Sequence, residues 1–156
     1  MAQTETIGMQ PLLKWPGGKR KLLRHILPLV PDSFRHYFEP FAGGAALFFR
    51  LSPPSATLND TNEELINLYK QICDDPLSVM EYLSGMRNSK DDYYRIRSTR
   101  PTDPMQRAAR IFYLSRFSFN GMHRVNLRGE FNVPYGYKHE MRVFNPEEIL
   151  QAQRAL

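Results

Sequence analysis

A chain of 156 residues with 42% hydrophobic content is long enough for one domain with a proper core and too short for two full-sized ones. Its net charge of +5 comes entirely from the second half: residues 1–78 hold eight basic and eight acidic residues, residues 79–156 thirteen and eight. A single Cys73 excludes an internal disulfide framework, four scattered histidines without paired cysteines give no zinc spacing, and no apolar run reaches membrane-spanning length. The N-terminus also lacks the charged-then-apolar order of a signal peptide, so the composition predicts a cytoplasmic protein with no structural metal, and Cys73 in its apolar helical surroundings is expected to be a buried thiol.

In chain order, residues 1–11 are a polar lead-in. Leu12 to Lys19 follow, in which Pro16, Gly17 and Gly18 break any regular element. Leu22, Leu23, Ile26 and Leu27 fall at helical spacing and predict a helix from about Arg20 to Leu27, stopped by Pro28 and Pro31. Tyr37-Phe38 reads as a strand, Gly43-Gly44 as a turn, and Ala45–Leu51 as a helix that ends before Pro53-Pro54. Ala56–Asp60 reads as a second short strand. Thr61 with Glu64 fits a capping box, and Leu65, Ile66, Leu68, Tyr69 and Ile72 supply the buried stripe of the next helix. Strand, helix, strand, helix within about forty residues implies a parallel α/β unit, whose ligands bind beyond the carboxyl ends of the strands. The glycine turn stands at that rim.

From Asp75-Pro76 the chain becomes helical and basic, with helices expected at Leu77–Met86, Asp91–Arg97 and Pro104–Arg116, the last capped by Asp103. Residues 117–143 lose helical periodicity and read as ordered loops or a short hairpin. Asn145-Pro146 opens one more helix, within which the chain ends at Leu156. Between residues 95 and 142 ten basic residues face only Asp103, Glu130 and Glu140, which suits either a phosphate-binding surface or a solvated basic face.

Three groups of residues can carry chemistry. Asp60, seventeen residues beyond Gly43, can accept the hydroxyls of a ribose lying over the turn or can simply cap the following helix. Gly43-Gly44 lacks the spaced G-x-G-x-x-G fingerprint, which favours a single nucleoside over a dinucleotide and makes a nicotinamide-dependent oxidoreductase the weakest reading. Lys14, Trp15 and Lys19 flank a Pro-Gly-Gly turn, an arrangement that can lay an indole on an adenine while a lysine reaches a carboxylate or phosphate.

Taken together, Lys14–Lys19, Glu39-Pro40-Phe41-Ala42-Gly43-Gly44, Asn59-Asp60 and the stretch Asn120-Gly121 to Gly136 resemble the Dam-type family of adenine-N6 DNA methyltransferases. The resemblance implies an α/β fold: an incomplete Rossmann-like S-adenosylmethionine-dependent methyltransferase sheet with a mainly helical DNA-recognition insertion. It implies a cofactor-binding part over residues 1–74, the insertion over 75–143, and a return to the first part over 144–156. Trp15, Lys19, Phe41, Ala42, Gly43 and Asp60 are then expected to line the S-adenosylmethionine pocket, with Lys14, Phe119, Asn120, Arg124, Arg128 and Lys138 on double-stranded DNA. Phe119 matches an aromatic position used as a wedge in the base stack, although it can equally pack with Phe112, Tyr113 and Phe117. Tyr137 intervenes before Lys138, a departure from the family pattern that bears on one base or phosphate contact.

The resemblance also implies an Asp-Pro-Pro-Tyr segment that binds the target adenine, flipped from the duplex. None occurs in this sequence, and Asn132-Val133-Pro134-Tyr135 only mimics it. No catalytic residue is therefore assigned. The expected reading is an N-terminal fragment of a site-specific, adenine-specific DNA methyltransferase, of the kind found in restriction-modification. The alternatives are a non-catalytic DNA- or cofactor-binding remnant and a half-enzyme completed by a second polypeptide, with self-association through the incomplete sheet.

Overall fold

In the computed structural model, which describes residues 9–156, Tyr37–Glu39 and Ala56–Leu58 form strands β1 and β2 of a two-stranded parallel sheet in the register Tyr37 to Ala56, Phe38 to Thr57 and Glu39 to Leu58. The polar lead-in over residues 1–8 lies outside the described residues. Before β1 the predicted Arg20–Leu27 helix is instead three short pieces, a 3-10 turn at Lys19–Leu22, helix α1 at Leu23–Ile26 and a second 3-10 turn at Leu27–Leu29. Pro28 removes a donor, and none of these residues is buried, so nothing packs the segment into a regular helix.

Between the strands runs helix α2, Ala46–Leu51. Ala45 precedes it with φ of 50° and is fully buried, a left-handed backbone that a non-glycine residue adopts only when its surroundings impose it. Helix α3 (Glu63–Asp74) is started by Asn62, whose side chain accepts hydrogen bonds from the Glu64 and Leu65 amides. The predicted Thr61 capping box is thereby displaced by one residue, because Asn62 has the extended backbone an N-cap needs. Leu65, Leu68, Tyr69 and Ile72 are buried as the stripe predicts, while Ile66 is only partly so. Cys73, expected to be buried, is exposed, since it lies one position past Ile72 and off that stripe.

The remaining helices follow the sequence within a residue or two. They are α4 (Pro76–Ser84, capped by Asp75), α5 (Lys90–Ser98, capped by Ser89), α6 (Pro104–Phe117, capped by Asp103) and α7 (Pro146–Ala155, capped by Asn145). Hydrogen bonds from Ser78 hold the Asp75 carboxyl below its ordinary value, and bonds from Arg95 and then Ser89 do the same for Asp92. α6 is buried over most of its length and packs against α3, α4 and α5, with α7 closing on α3 and α4. One hydrophobic cluster runs from Leu12 to Ala152.

Of the two readings, ordered loops or a short hairpin, residues 118–137 form a hairpin, entered through a 3-10 turn at Phe119–Gly121. Antiparallel bridges join Ser118 to Tyr135 and Val125 to Phe131, and Asn126 ties the tip by accepting from the Arg128 and Glu130 amides while its side-chain nitrogen donates to Glu130. Gly136 is pressed against α6: a Cβ there would stand 2.7 Å from the Ser118 carbonyl oxygen.

Candidate functional site

The glycine turn is braced from three sides. Asp60, just beyond β2, accepts from the Gly43 amide at 2.8 Å through one carboxylate oxygen and from the Asn62 amide at 2.9 Å through the other. Tyr69, on the buried face of α3, donates its hydroxyl to the Gly43 carbonyl at 2.6 Å. Burial first, then the charges of Glu39 and Asp60, raise that phenol well above its ordinary value, so it stays a donor throughout the working pH range. From below, Lys19 donates to the Phe41 carbonyl at 2.7 Å and to the Glu39 carboxylate at 2.9 Å. Glu39 is only 4% exposed, and the Tyr37 hydroxyl donates to its other oxygen at 2.9 Å.

These bonds give Asp60 and Lys19 partners within the chain. Asp60 does not cap α3, since Asn62 does; it is a strut between two backbone amides, and each oxygen keeps a lone pair for a further donor. Lys19 pairs with a carboxylate of the chain itself, that of Glu39. Ala42 is buried beneath the turn, its amide bound to the Asn59 carbonyl at 2.9 Å, whereas the Phe41 ring stands 74% exposed at the rim.

Trp15 closes the turn from above. Trp15-Pro16-Gly17-Gly18 has the Pro-Gly chemistry of a tight turn, with Gly17 at φ of 70° and the Gly18 amide donating to the Trp15 carbonyl at 3.0 Å. That turn lays the indole on the glycines: a Cβ at Gly43 would come within 3.2 Å of Trp15 Cδ1. Gly43 also has φ of 51°. Gly43→Ala therefore combines left-handed strain with a clash and is expected to cost about 1–3 kcal/mol of stability, visible as a lower melting temperature together with altered emission from Trp15, the one tryptophan of the chain. A melting curve and spectrum matching wild type would show that the turn tolerates a side chain.

The neighbouring Lys14 runs the opposite way. Its aliphatic stem lies over Gly121, where a Cβ would be 2.9 Å from Lys14 Cδ, and Asn120 beside it is held at φ of 54°. Consecutive residues thus reach the glycine turn and the loop before the hairpin. Phe119 is half exposed while Phe112, Tyr113 and Phe117 are fully buried, so it stands outside the core those rings fill. Arg124 is exposed, its guanidinium donating to the Asn132 side chain at 2.7 Å, and Arg128 and Leu127 project at the exposed tip. The extra Tyr137 is accommodated with φ of 53°, and Lys138 after it turns inward to donate to the Arg116 carbonyl at 2.6 Å. Lys14, Arg116 and Lys138 line one cavity, and burial, then the charges of the other two, pull the Lys138 ammonium below its ordinary value.

The Asp-Pro-Pro-Tyr mimic is structural. Tyr135 is buried and donates to Asn88, and the Val133 carbonyl accepts from Tyr93 and Arg97. No face of that ring is open to a base. Behind the hairpin, Arg97, Arg100, Arg107 and Arg110 line a cavity of about 420 Å³ together with Glu64 and Glu130, which pair with Arg107 and Arg100.

Comparison with known proteins now bears on this arrangement. Residues 15–156 match the D12 class N6 adenine-specific DNA methyltransferases. The chain belongs to that family. It is similar to the type II methyltransferase M1.LlaDCHI of Lactococcus lactis subsp. cremoris, with 44% identity over 96% of this chain and 55% of that protein. It is 34% identical to the type II methyltransferase M.CviBI of Paramecium bursaria Chlorella virus NC1A, over 93% of this chain and 56% of the relative, and 39% identical to the DNA adenine methylase of Salmonella typhi, over 88% and 51%. The chain spans about half the length of these curated relatives. Among its described residues no helix is long and apolar enough to cross a membrane.

Sequence reading missed Tyr69, Glu39 and His123 as site residues. Tyr69 was counted only as part of an apolar stripe, and its hydroxyl was the overlooked signal. His123 stacks on Trp15 with centroids 4.6 Å apart. Burial lowers its pKa, opposed by Glu64 and reinforced by Arg110, so the folded protein favours the neutral ring. Because the unfolded chain then binds the extra proton, stability is fully present above about pH 6.5 and declines as pH falls below it. Chemical denaturation between pH 7.5 and 5 should show this loss in wild type and a smaller one in His123→Phe; equal losses would remove His123 as the cause.

Proposed function

We propose that this chain carries the S-adenosylmethionine-binding and DNA-binding parts of a site-specific adenine-N6 DNA methyltransferase. The observation that carries the reading is the placement of Lys14 and Trp15. Adjacent in sequence, they lie on the hairpin loop and on the glycine turn, so a ligand on the turn and a duplex on the hairpin would meet at one segment. The turn fits an adenosyl ligand: Gly43 leaves backbone where a Cβ would collide with Trp15, Phe41 and Trp15 offer rings, and Asp60 keeps acceptors for ribose hydroxyls.

Within this reading β1 and β2 belong to a Rossmann-like sheet, residues 1–74 and 144–156 to the cofactor part, and residues 75–143 to the DNA-recognition insertion. The bound cofactor supplies an electrophilic methyl group. Trp15 and Phe41 hold its base, Asp60 orients its ribose, and Lys19 keeps the turn in shape through Glu39 and the Phe41 carbonyl. Lys14, Asn120, Arg124 and Arg128 grip the duplex, where an arginine can read guanine bidentately, and Phe119 fills the space left by an extruded base. Lys138, turned inward onto the Arg116 carbonyl, adds only its charge to that face.

Titration of Trp15 fluorescence with S-adenosylmethionine and, separately, with NAD tests the cofactor. Saturable binding of the first alone supports the reading, and tight NAD binding would end it. For DNA, an affinity for duplex that falls steeply with salt is expected. Arg124→Ala and Arg128→Ala should each weaken binding, by about 1–3 kcal/mol where a base contact is lost, measured by fluorescence anisotropy. Wild-type affinity in both variants would remove the hairpin from the interface.

A half-enzyme completed by a second polypeptide is favoured by one further feature. Parallel sheets are covered on both faces, yet Phe38 of β1 is 68% exposed and Thr57 beside it is exposed as well. Methyl transfer to duplex DNA by the chain alone, at the rate of an ordinary enzyme, would refute both this and the non-catalytic reading.

A further inference from the structure

His123 joins the two proposed ligand sites through a single column of rings. The Trp15 indole rests against Gly43. The His123 imidazole stacks on that indole with planes 28° apart. The edge of Phe131 meets His123 at 5.4 Å and 72°, and Phe131, only 7% exposed, is bridged to Val125 across the hairpin. From the turn to the hairpin there is no gap in this sequence of contacts. The hairpin carries Arg124 on one side of the Val125–Phe131 bridge and Arg128 at its tip, and the Asn132 amide donates to the Arg124 carbonyl at 3.1 Å.

We propose that His123 is a positioning residue that couples cofactor binding to DNA recognition, transmitting the placement of the Trp15 indole to the hairpin that presents Arg124 and Arg128. The proposal rests on the reading of the glycine turn as a cofactor site and the hairpin as a DNA site. Stacked rings move together when one of them is held, so an adenosyl group that fixes Trp15 also restrains the imidazole stacked on it. The imidazole, partly buried between Trp15 and Phe131, touches both rings, so a displaced indole presses it towards Phe131 and the bridged strand. Lys14 works in the same direction, since its stem holds the loop just before His123 through Gly121. A ligand at one site then narrows the hairpin conformations available to the other, which is a coupling between sites and must be reciprocal.

The test uses the whole chain, a duplex of mixed sequence, and S-adenosylmethionine. DNA affinity is measured with and without cofactor, and cofactor affinity with and without DNA. In wild type each ligand should strengthen the other by about fivefold or more, by the same factor in both directions. In His123→Ala the coupling factor, a ratio taken within the variant and so independent of any change in either affinity alone, should fall to about one. His123→Phe keeps a ring in the column and should recover most of the coupling. Trp15 emission reads the stack itself: added DNA should shift it in wild type and in His123→Phe, and not in His123→Ala.

Coupling in His123→Ala equal to wild type overturns the proposal, as does a wild type that binds both ligands with no coupling. A wild type that binds neither ligand overturns the reading of the two sites, a different failure from the loss of coupling alone. Should His123→Ala fail to unfold cooperatively, His123→Gln, which fills the space without a ring, takes its place with the same expectations.

Discussion

Replacing Lys19 by methionine is expected to destabilise the protein by about 3 kcal/mol and to lower its melting temperature by roughly 6–12 °C. Glu39 is 4% exposed, and its carboxylate is held by Lys19 at 2.9 Å and by the Tyr37 hydroxyl at 2.9 Å. With the ammonium removed, a buried carboxylate keeps one neutral partner. Such an uncompensated charge costs about 3–5 kcal/mol, and the low end applies here because Lys19 itself is one-third exposed. The Phe41 carbonyl loses its donor at the same time, so the rim of the glycine turn loosens. Adding Glu39→Gln to Lys19→Met should return part of the loss, since a neutral amide needs no countercharge. Thermal melts of the two single variants and the double variant check this. If Lys19→Met melts with wild type, the pair is not what holds the turn.

The second large effect is expected at Asp60. Asp60→Ala removes the acceptor for the Gly43 and Asn62 amides together with any bond to a ribose, and S-adenosylmethionine affinity should fall by about a hundredfold, near 2.7 kcal/mol. Bonds to a charged acceptor are worth about 1.5–3 kcal/mol each, so losing the acceptor for the ribose hydroxyls gives a fall of this order, while loss of the Gly43 and Asn62 bonds lowers the stability of the turn. Asp60→Asn should fall between the two, because its amide nitrogen would face one of the backbone donors that the carboxylate now satisfies on both sides. Isothermal calorimetry measures the affinity, and a melting curve shows whether the variant is still folded. Binding by Asp60→Ala within twofold of wild type would leave Asp60 with no part in the cofactor site.

Both effects concern contacts that spacing could not foresee, and the pattern is general in this chain. Helices α6 and α7 were legible because their start signals are local, Asp103 and Asn145 each capping the backbone two or three residues on, and α4 and α5, whose caps Asp75 and Ser89 only the structure shows, were legible from their composition. The parallel pair β1 and β2 and the turn between β1 and α2 were legible for the same reason, through short aromatic and β-branched runs punctuated by glycine and proline. The Arg20–Leu27 helix was misread because its apolar spacing is helical yet none of those side chains is buried, and in a short segment propensity without packing does not hold a regular helix. Cys73 was misread because residue neighbours are not spatial neighbours: one step beyond Ile72 rotates the side chain off the buried face of α3.

By itself, the sequence determined most of the elements, the caps at Asp103 and Asn145, the apolar stripe of α3 and the residue types gathered at the turn and hairpin, all of which depend on interactions within about four residues. Only the tertiary structure decided which polar and aromatic groups satisfy one another. Lys19 pairs with Glu39, Asp60 with Gly43, Tyr69 with the Gly43 carbonyl and Trp15 with His123, across separations that carry no periodic signal. A buried donor or ring takes the partner that the packed core brings within reach. That physical selection turns a generic glycine turn into a site braced by α3, covered by Trp15 and joined to the hairpin.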